Sequence, residues 1–282
     1  YKLHSFDFFL LLFLSVFGLL FILNSFHFIP LYIAIELQSL CFYVLTSMRK
    51  NYVYSIEAGL KYFIIGSFSS CVLLFGISFL YGFTGFLGFG DLSLFLNNVF
   101  YNDLFFLIGI TFSILLISLG FCFKLYVAPF HWWIQDIYQY AIPFVTFFFA
   151  LVPSYVVISS MARVYFNVFD VYAWEWEFIF SLCGFLSILL GSIGGLYQKK
   201  IRRLIAYSSI NNFGYLLVLF TYMDYFTLTN MYVYYIVYIF NNIIVFLFIF
   251  SILRKNIFLS TTLDNIDDFK GYGFYNKTVS LF

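Results

Sequence analysis

Residues 104–131 read LFFLIGITFSILLISLGFCFKLYVAPFH. From Leu104 to Phe123 no side chain is charged, and the run matches the roughly 20 apolar residues that cross a bilayer. Lys124 follows, and then Pro129. A proline has no N–H to give to the carbonyl four residues back, here that of Leu125, so the helix should kink or open just beyond the lysine. A broken helix at membrane depth is tolerated where it lines a polar cavity. The stretch predicts a membrane helix that delivers a cation to a break around Lys124–Pro129.

The rest of the chain fits that setting. Of 282 residues, 63% are hydrophobic and 10% charged, with mean hydropathy +0.97. Soluble domains carry about 25% charged residues, so a water-soluble globule is excluded. Apolar runs between polar punctuation give an all-α multispan membrane protein with about eight spans, at 7–23, 29–48, 57–81, 104–128, 142–165, 174–197, 203–222 and 226–253. Pro129–Ala141 is an irregular extension of the fourth span. Leu92–Leu96, within the loop Gly82–Asn102, is too short to cross. Residues 1–253 form the membrane domain and 254–282 a polar tail. The chain opens at Tyr1, without an initiator Met, and its first apolar run has no small-residue cleavage site after it. That run is read as the first helix and not a signal peptide. The 44 Phe and 25 Tyr have AT-rich codons, the coding imprint of an AT-biased genome such as an organelle's. Net charge is +1, which gives no basis for nucleic-acid binding. Cys41, Cys71, Cys122 and Cys183 are scattered through apolar runs as small hydrophobes, not a metal or disulfide framework.

Charge distribution tests the span count. With eight crossings, one face collects Lys2, Arg49, Lys50, Lys199, Lys200, Arg202, Arg203, Arg254 and Lys255. The other collects Asp91, Asp103, Asp170, Glu175, Glu177 and Asp224, with Arg163 nearby. The positive-inside rule then puts both termini on the cytoplasm-like side, the matrix in a mitochondrion. A double crossing of 104–141 would throw the later basic loops onto the wrong face.

Several ionisable residues lie within spans. Glu36 sits near the middle of the second, where a carboxylate costs about 2.5–3.5 kcal/mol. Glu57 and Lys61 share a helix face four residues apart, either as an intrahelical pair near the interface or as members of a relay. His131 is either an interface residue or a proton relay, and its distance of two turns from Lys124 favours the relay. Arg163 should snorkel to the headgroups. A buried acid, a buried lysine and a broken helix suggest a proton or cation path through Glu36, Lys124, His131, Lys61 and Glu57. Gly191 and Gly195 form a G-x-x-x-G packing face, and Trp132, Trp133, Trp174 and Trp176 fall at span ends, as aromatic belts do. Gly85, Gly88 and Gly90 make no dinucleotide fingerprint, since no strand precedes them.

Three runs carry a resemblance. They are Glu36-Leu37-Gln38-Ser39-Leu40-Cys41-Phe42-Tyr43 with Glu57-Ala58-Gly59-Leu60-Lys61-Tyr62; Phe123-Lys124 with Pro129-Phe130-His131-Trp132 and Asp136-Ile137-Tyr138; and Lys199-Lys200-Ile201-Arg202-Arg203-Leu204-Ile205-Ala206-Tyr207-Ser208-Ser209 with Gly214-Tyr215. Together they resemble the subunit 2 family of respiratory NADH:ubiquinone oxidoreductase (complex I). The resemblance implies an antiporter-like membrane-arm subunit that carries no redox cofactor. It would pump protons while NADH reduces quinone elsewhere in the complex, beside other membrane-arm subunits and lipid in the mitochondrial inner membrane. It also implies inverted five-helix repeats, the first being residues 1–165 and the second beginning at 166–253. Glu36 and Lys124 match the family's buried glutamate and broken-helix lysine, with an expected Glu36–Lys124 ion pair. Where the family has a second lysine after a proline, this chain has Ser154 after Pro153, and Gln135 replaces a family proline. Three N-terminal helices of the family are missing. The chain also stops before the second broken helix, so a separate chain is expected to supply the missing C-terminal helices. Two other readings remain: a cation/proton antiporter subunit, which the Glu-Leu-Gln-Ser-Leu run disfavours, and a structural subunit that has lost its pump.

Overall fold

The computed structural model of the chain describes residues 6–49, 52–98, 104–222, 224–259 and 265–269. Among them, the apolar runs become α1 (Phe6–Asn24), α2 (Phe28–Thr46), α3 (Val53–Thr84), α4 (Phe89–Asn98), α5 (Leu104–Lys124), α6 (Trp132–Tyr140), α7 (Pro143–Asn167), α8 (Ala173–Leu196), α9 (Ile201–Phe220) and α10 (Tyr225–Leu259). Pairing outside helices is confined to isolated bridges among the described residues. The eight expected spans correspond to α1, α2, α3, α5, α7, α8, α9 and α10. The fourth ends at Lys124 and not at residue 128, and the eighth runs on to Leu259 and not to 253. Most of the expected polar tail, together with Lys2, Lys50 and Asp103 of the charge count, lies outside the described residues.

Seven of these helices are long and apolar enough to cross a membrane. The eighth, α9, is diluted by Arg202, Arg203, Asn211 and Asn212. It nevertheless runs antiparallel along the length of α8. A Cβ on Gly184 would lie 2.9 Å from Val218, one on Gly191 2.9 Å from Asn211, and one on Gly194 against Tyr207. Partners descend α9 as the glycines climb α8, so the two helices lie side by side over this length. Such close approach needs small residues. Gly195 is not one of them, since a Cβ there would meet its nearest neighbour at 3.7 Å. The packing stripe is therefore Gly184, Gly191 and Gly194, and the expected Gly191–Gly195 pair holds only at Gly191.

Contacts at the two ends agree with this topology. At one end the Ile266 N–H donates to the Lys199 carbonyl at 2.9 Å, so the segment after α10 returns to the α8–α9 turn. At the other, the Phe28 N–H donates to Leu87 and the Phe89 N–H to Phe26, at 3.1 and 3.0 Å, joining the α1–α2 and α3–α4 turns. Arg163 belongs to this second end and is anchored there by the α1–α2 turn. Its Nη1 donates to the Ser25 carbonyl at 3.1 Å, and its guanidinium lies 5.4 Å from the centre of the Phe26 ring. The carbonyls just past α1 are an electronegative helix end that attracts a cation.

Helix faces divide as a bilayer requires. Phe13 on α1, Phe185 on α8 and Phe240 on α10 point outward, while Phe42, Phe121, Phe149 and Phe213 fill the interior. Trp132 and Trp174 are exposed as a belt would have them. Trp133 and Trp176 are instead buried, and Trp176 donates to the Phe169 carbonyl at 3.0 Å. The four cysteines are free thiols, with Cys71 exposed and the other three buried.

Candidate functional site

The break after Lys124 is built by backbone geometry before Pro129 is reached. The Leu125 N–H still closes a helical bond to Phe121 at 3.0 Å. Tyr126 then takes a left-handed φ of 46°. Its N–H donates to Phe123 at 3.1 Å, and that of Val127 reaches back to Cys122 at 3.2 Å. This paired five-to-two and six-to-one closure is a Schellman cap, a turn that usually takes glycine at its left-handed position. Tyrosine there costs about 1–2 kcal/mol. The cost is offset because the Tyr126 ring is buried between Trp133, Phe149 and Phe213, with centroids 5.9, 6.1 and 4.9 Å away; full burial of a large ring returns about 1.5–3 kcal/mol. The opening just beyond the lysine is as the sequence predicts. Its cause is the cap at Tyr126, with the Ala128–Pro129 peptide, which is cis, lying beyond it.

Depth follows from α3. This helix lies antiparallel to α5, Gly76 against Ile117 and Gly120 against Leu73, which brings Lys124 level with Ser69. At 1.5 Å per residue Ser69 lies about 24 Å from the start of α3, near its midpoint. Lys124 therefore ends α5 at mid-depth, and α6 carries the chain onward.

Around the lysine, Gln38 and Ser39 from α2, Ser69 from α3, Tyr126 and Ser154 on α7 line a cavity. It has about 20 Å³ of room for water, and one water needs roughly 10–15 Å³. The Tyr126 hydroxyl is buried there without a hydrogen-bond partner among the described residues. Glu36 lies in the middle of α2, and its buried Oε1 also lacks a hydrogen-bond partner among the described residues. The expected direct Glu36–Lys124 ion pair is not formed: the salt bridges among the described residues lie elsewhere. The reason is that α3 packs against both α2 and α5 and stands between them.

The other candidates gather nearer one membrane face. Lys61 Nζ lies 2.8 Å from Glu57 and 3.0 Å from Asp136, and Arg203 approaches Asp136 at 3.4 Å. The Glu57–Lys61 pair on α3 is thus extended through Asp136 on α6 to Arg203 on α9. Arg202 also donates to the Gln139 carbonyl at 3.2 Å, and Lys200 lies 6.0 Å from the centre of the Tyr140 ring. Arg202 and Lys200 thus hold the C-terminal end of α6, where a helix dipole favours cations. Lys61 is about 12 Å along α3 from Ser69, so this network is separate from the Lys124 cavity. His131 precedes α6 half-buried and does not line the cavity.

A set of hydroxyl groups was not legible in the motifs. Ser154 Oγ lies 2.7 Å from the Tyr235 hydroxyl of α10, and Tyr235 donates to the Leu151 carbonyl at 2.6 Å. Tyr238 donates to Ser209 on α9 at 3.1 Å, with Tyr138 3.4 Å from the same Oγ. The spacing Tyr235, Tyr238, Asn242 places three polar groups on one helix face and was the available signal.

Comparison with known proteins agrees with this architecture. A family described as NADH:quinone oxidoreductase/Mrp antiporter, TM, matches residues 25–279. NADH-ubiquinone oxidoreductase chain 2 of Marchantia polymorpha is 41% identical over 223 residues, 78% of this chain and 45% of its own length. NADH-quinone oxidoreductase subunit N of Magnetococcus marinus is 37% identical over 270 residues, 96% of this chain and 54% of its own. A chain of respiratory complex I from Thermus thermophilus superposes with TM-score 0.70 at 26% identity, over 87% of this chain and 51% of that one. A chain of the Mrp complex from Dietzia shares the fold with TM-score 0.75 at 21% identity, over 85% of this chain and 44% of that one. This chain spans about half the length of the curated relatives it matches. With 255 consecutive residues matched and the broken helix in place, the chain belongs to the NADH:quinone oxidoreductase/Mrp antiporter family of membrane proteins.

Proposed function

We propose that this chain is a proton-translocating, non-redox membrane-arm subunit of an NADH:ubiquinone oxidoreductase in the mitochondrial inner membrane, with both termini facing the matrix. The observation that carries this reading is Lys124 at mid-depth, without an ion-pair partner among the described residues and beside a cavity with room for water. A lysine held by a fixed carboxylate is a structural cation, whereas one facing water can give up and regain a proton. Glu36 acts on it at a distance: a change in its surroundings alters how tightly Lys124 holds its proton, without a contact being made or broken. Redox chemistry occurs elsewhere in the assembly, among other membrane-arm subunits.

Replacing Lys124 with Met in the assembled complex tests the reading. Protons moved per NADH oxidised should fall, and an unchanged ratio would sink the proposal. The cation/proton antiporter reading rests on a shared fold at 21% identity, whereas the chain 2 relative is 41% identical. A purely structural subunit gives no reason to keep a lysine without an ion partner at mid-depth, where each charge is costly.

A further inference from the structure

Pro153 sits inside α7 and removes one helical hydrogen bond, loosening the ladder at the level of the cavity. Ser154 follows it, buried and lining that cavity. Its hydroxyl has one proton and more than one acceptor: the Ala150 carbonyl at 2.8 Å and the Tyr235 oxygen at 2.7 Å. Tyr235 likewise has one proton and two acceptors, the Leu151 carbonyl at 2.6 Å and Ser154 Oγ. The pair therefore has two hydrogen-bond arrangements of similar geometry, which a proton wire requires if it is to pass a proton and then reset. A pair serving only to join α7 to α10 needs one. The buried, unpartnered Tyr126 hydroxyl opens on the same cavity, and a buried polar group without a protein partner usually binds an ordered water. Tyr238 lies one helical turn beyond Tyr235, with ring centroids 5.6 Å apart.

We infer that Ser154 and Tyr235 form the relay station after Lys124, carrying protons from cavity water, held by Tyr126, to the Tyr238 side of α10. The Lys124 ammonium gives its proton to the cavity water, and that water gives a proton to Ser154 Oγ. Ser154 passes its own proton to the Tyr235 oxygen, and the Tyr235 proton leaves to a water beside Tyr238. Tyr235 then turns its new proton back to the Leu151 carbonyl and Ser154 turns its own to the Tyr235 oxygen, which restores the starting arrangement. Each oxygen gains and loses one proton, and no charge rests on the serine.

The inference rests on the proposed pump, and its test separates the two. In the intact assembly, Ser154→Ala and Tyr235→Phe should each lower protons moved per NADH oxidised to the level of Lys124→Met, while Ser154→Thr, which keeps the hydroxyl, should restore the wild-type ratio. A mere α7–α10 staple would alter assembly and leave the ratio alone. If Lys124→Met lowers the ratio but Ser154→Ala and Tyr235→Phe do not, the relay is overturned and the pump stands. If Lys124→Met has no effect, both fall. Should Ser154→Ala fail to assemble, Tyr235→Phe and Tyr126→Phe decide the matter by the same ratio.

Discussion

Two groups of charges occupy this molecule, and they are kept in opposite ways. Near one face, Glu57, Lys61, Asp136 and Arg203 neutralise one another across α3, α6 and α9. At mid-depth, Glu36 and Lys124 sit on helices separated by α3 and make no direct pair. Partnered charges near an interface are inexpensive and position helices. Charges held apart in the membrane interior are expensive, so a chain that keeps them uses them. Removing a member of the first group should damage stability, and removing a member of the second should damage function.

Lys124→Met is the sharpest way to break that contrast and has the largest expected effect. Methionine fills the lysine's volume without its charge. An unpaired charge in the membrane interior is costly to keep, so replacing it with an apolar group of similar size removes that cost. The variant assembly should melt at or above the wild-type temperature and lose this chain's share of proton translocation. A lower melting temperature with an intact proton ratio would move Lys124 into the structural group. Glu36→Gln comes next. It keeps shape and hydrogen-bonding capacity but removes the field at Lys124, so translocation should slow without vanishing and the melting temperature should hold.

Asp136→Ala tests the other group. It strands Arg203 and leaves Lys61 with Glu57 alone. Because these side chains are partly exposed, 47% for Lys61 and 21% for Asp136, the loss should be about 1 kcal/mol. Thermal melting of the solubilised assembly should register it while protons per NADH stay constant. A changed ratio at full stability would make the network part of the path and end the distinction.

What the residues disclosed, and what they hid, divides along similar lines. Eight long helices, seven of them apolar enough to cross a membrane, the opening beyond Lys124 and the central place of Glu36 were legible because apolar run length and charge position are local properties. The cause of the opening was misassigned. Proline is visible in sequence, but a left-handed tyrosine is not, since only the aromatic cluster from α6, α7 and α9 makes it affordable. The ion-pair expectation failed for a related reason: two residues far apart in sequence reveal nothing of the helix that stands between them. Asp136 stood within a recognised run, yet its joining of Lys61 to Arg203 depends on α6 lying across α3 and α9. Ser154 was noticed as a departure, but its partner Tyr235 was hidden among 25 tyrosines.

Arg163 carries the smallest prediction and extends the comparison to a third kind of charge, a cation held by neutral groups. Its partners are the Ser25 carbonyl at 3.1 Å and the face of Phe26. A carbonyl at a helix end offers about 0.3–1 kcal/mol to a cation, and a partly exposed aromatic face adds about 0.5–1 kcal/mol. Arg163→Met retains much of the aliphatic stem, so the loss should stay near 1 kcal/mol. It should be confined to the α1–α7 contact and detectable as faster amide exchange at the α1–α2 turn. Lys at this position should recover only part of it, because an ammonium cannot lie flat on the ring while donating to the carbonyl. Full recovery by Lys would mean that charge alone matters there and that the Phe26 contact contributes nothing.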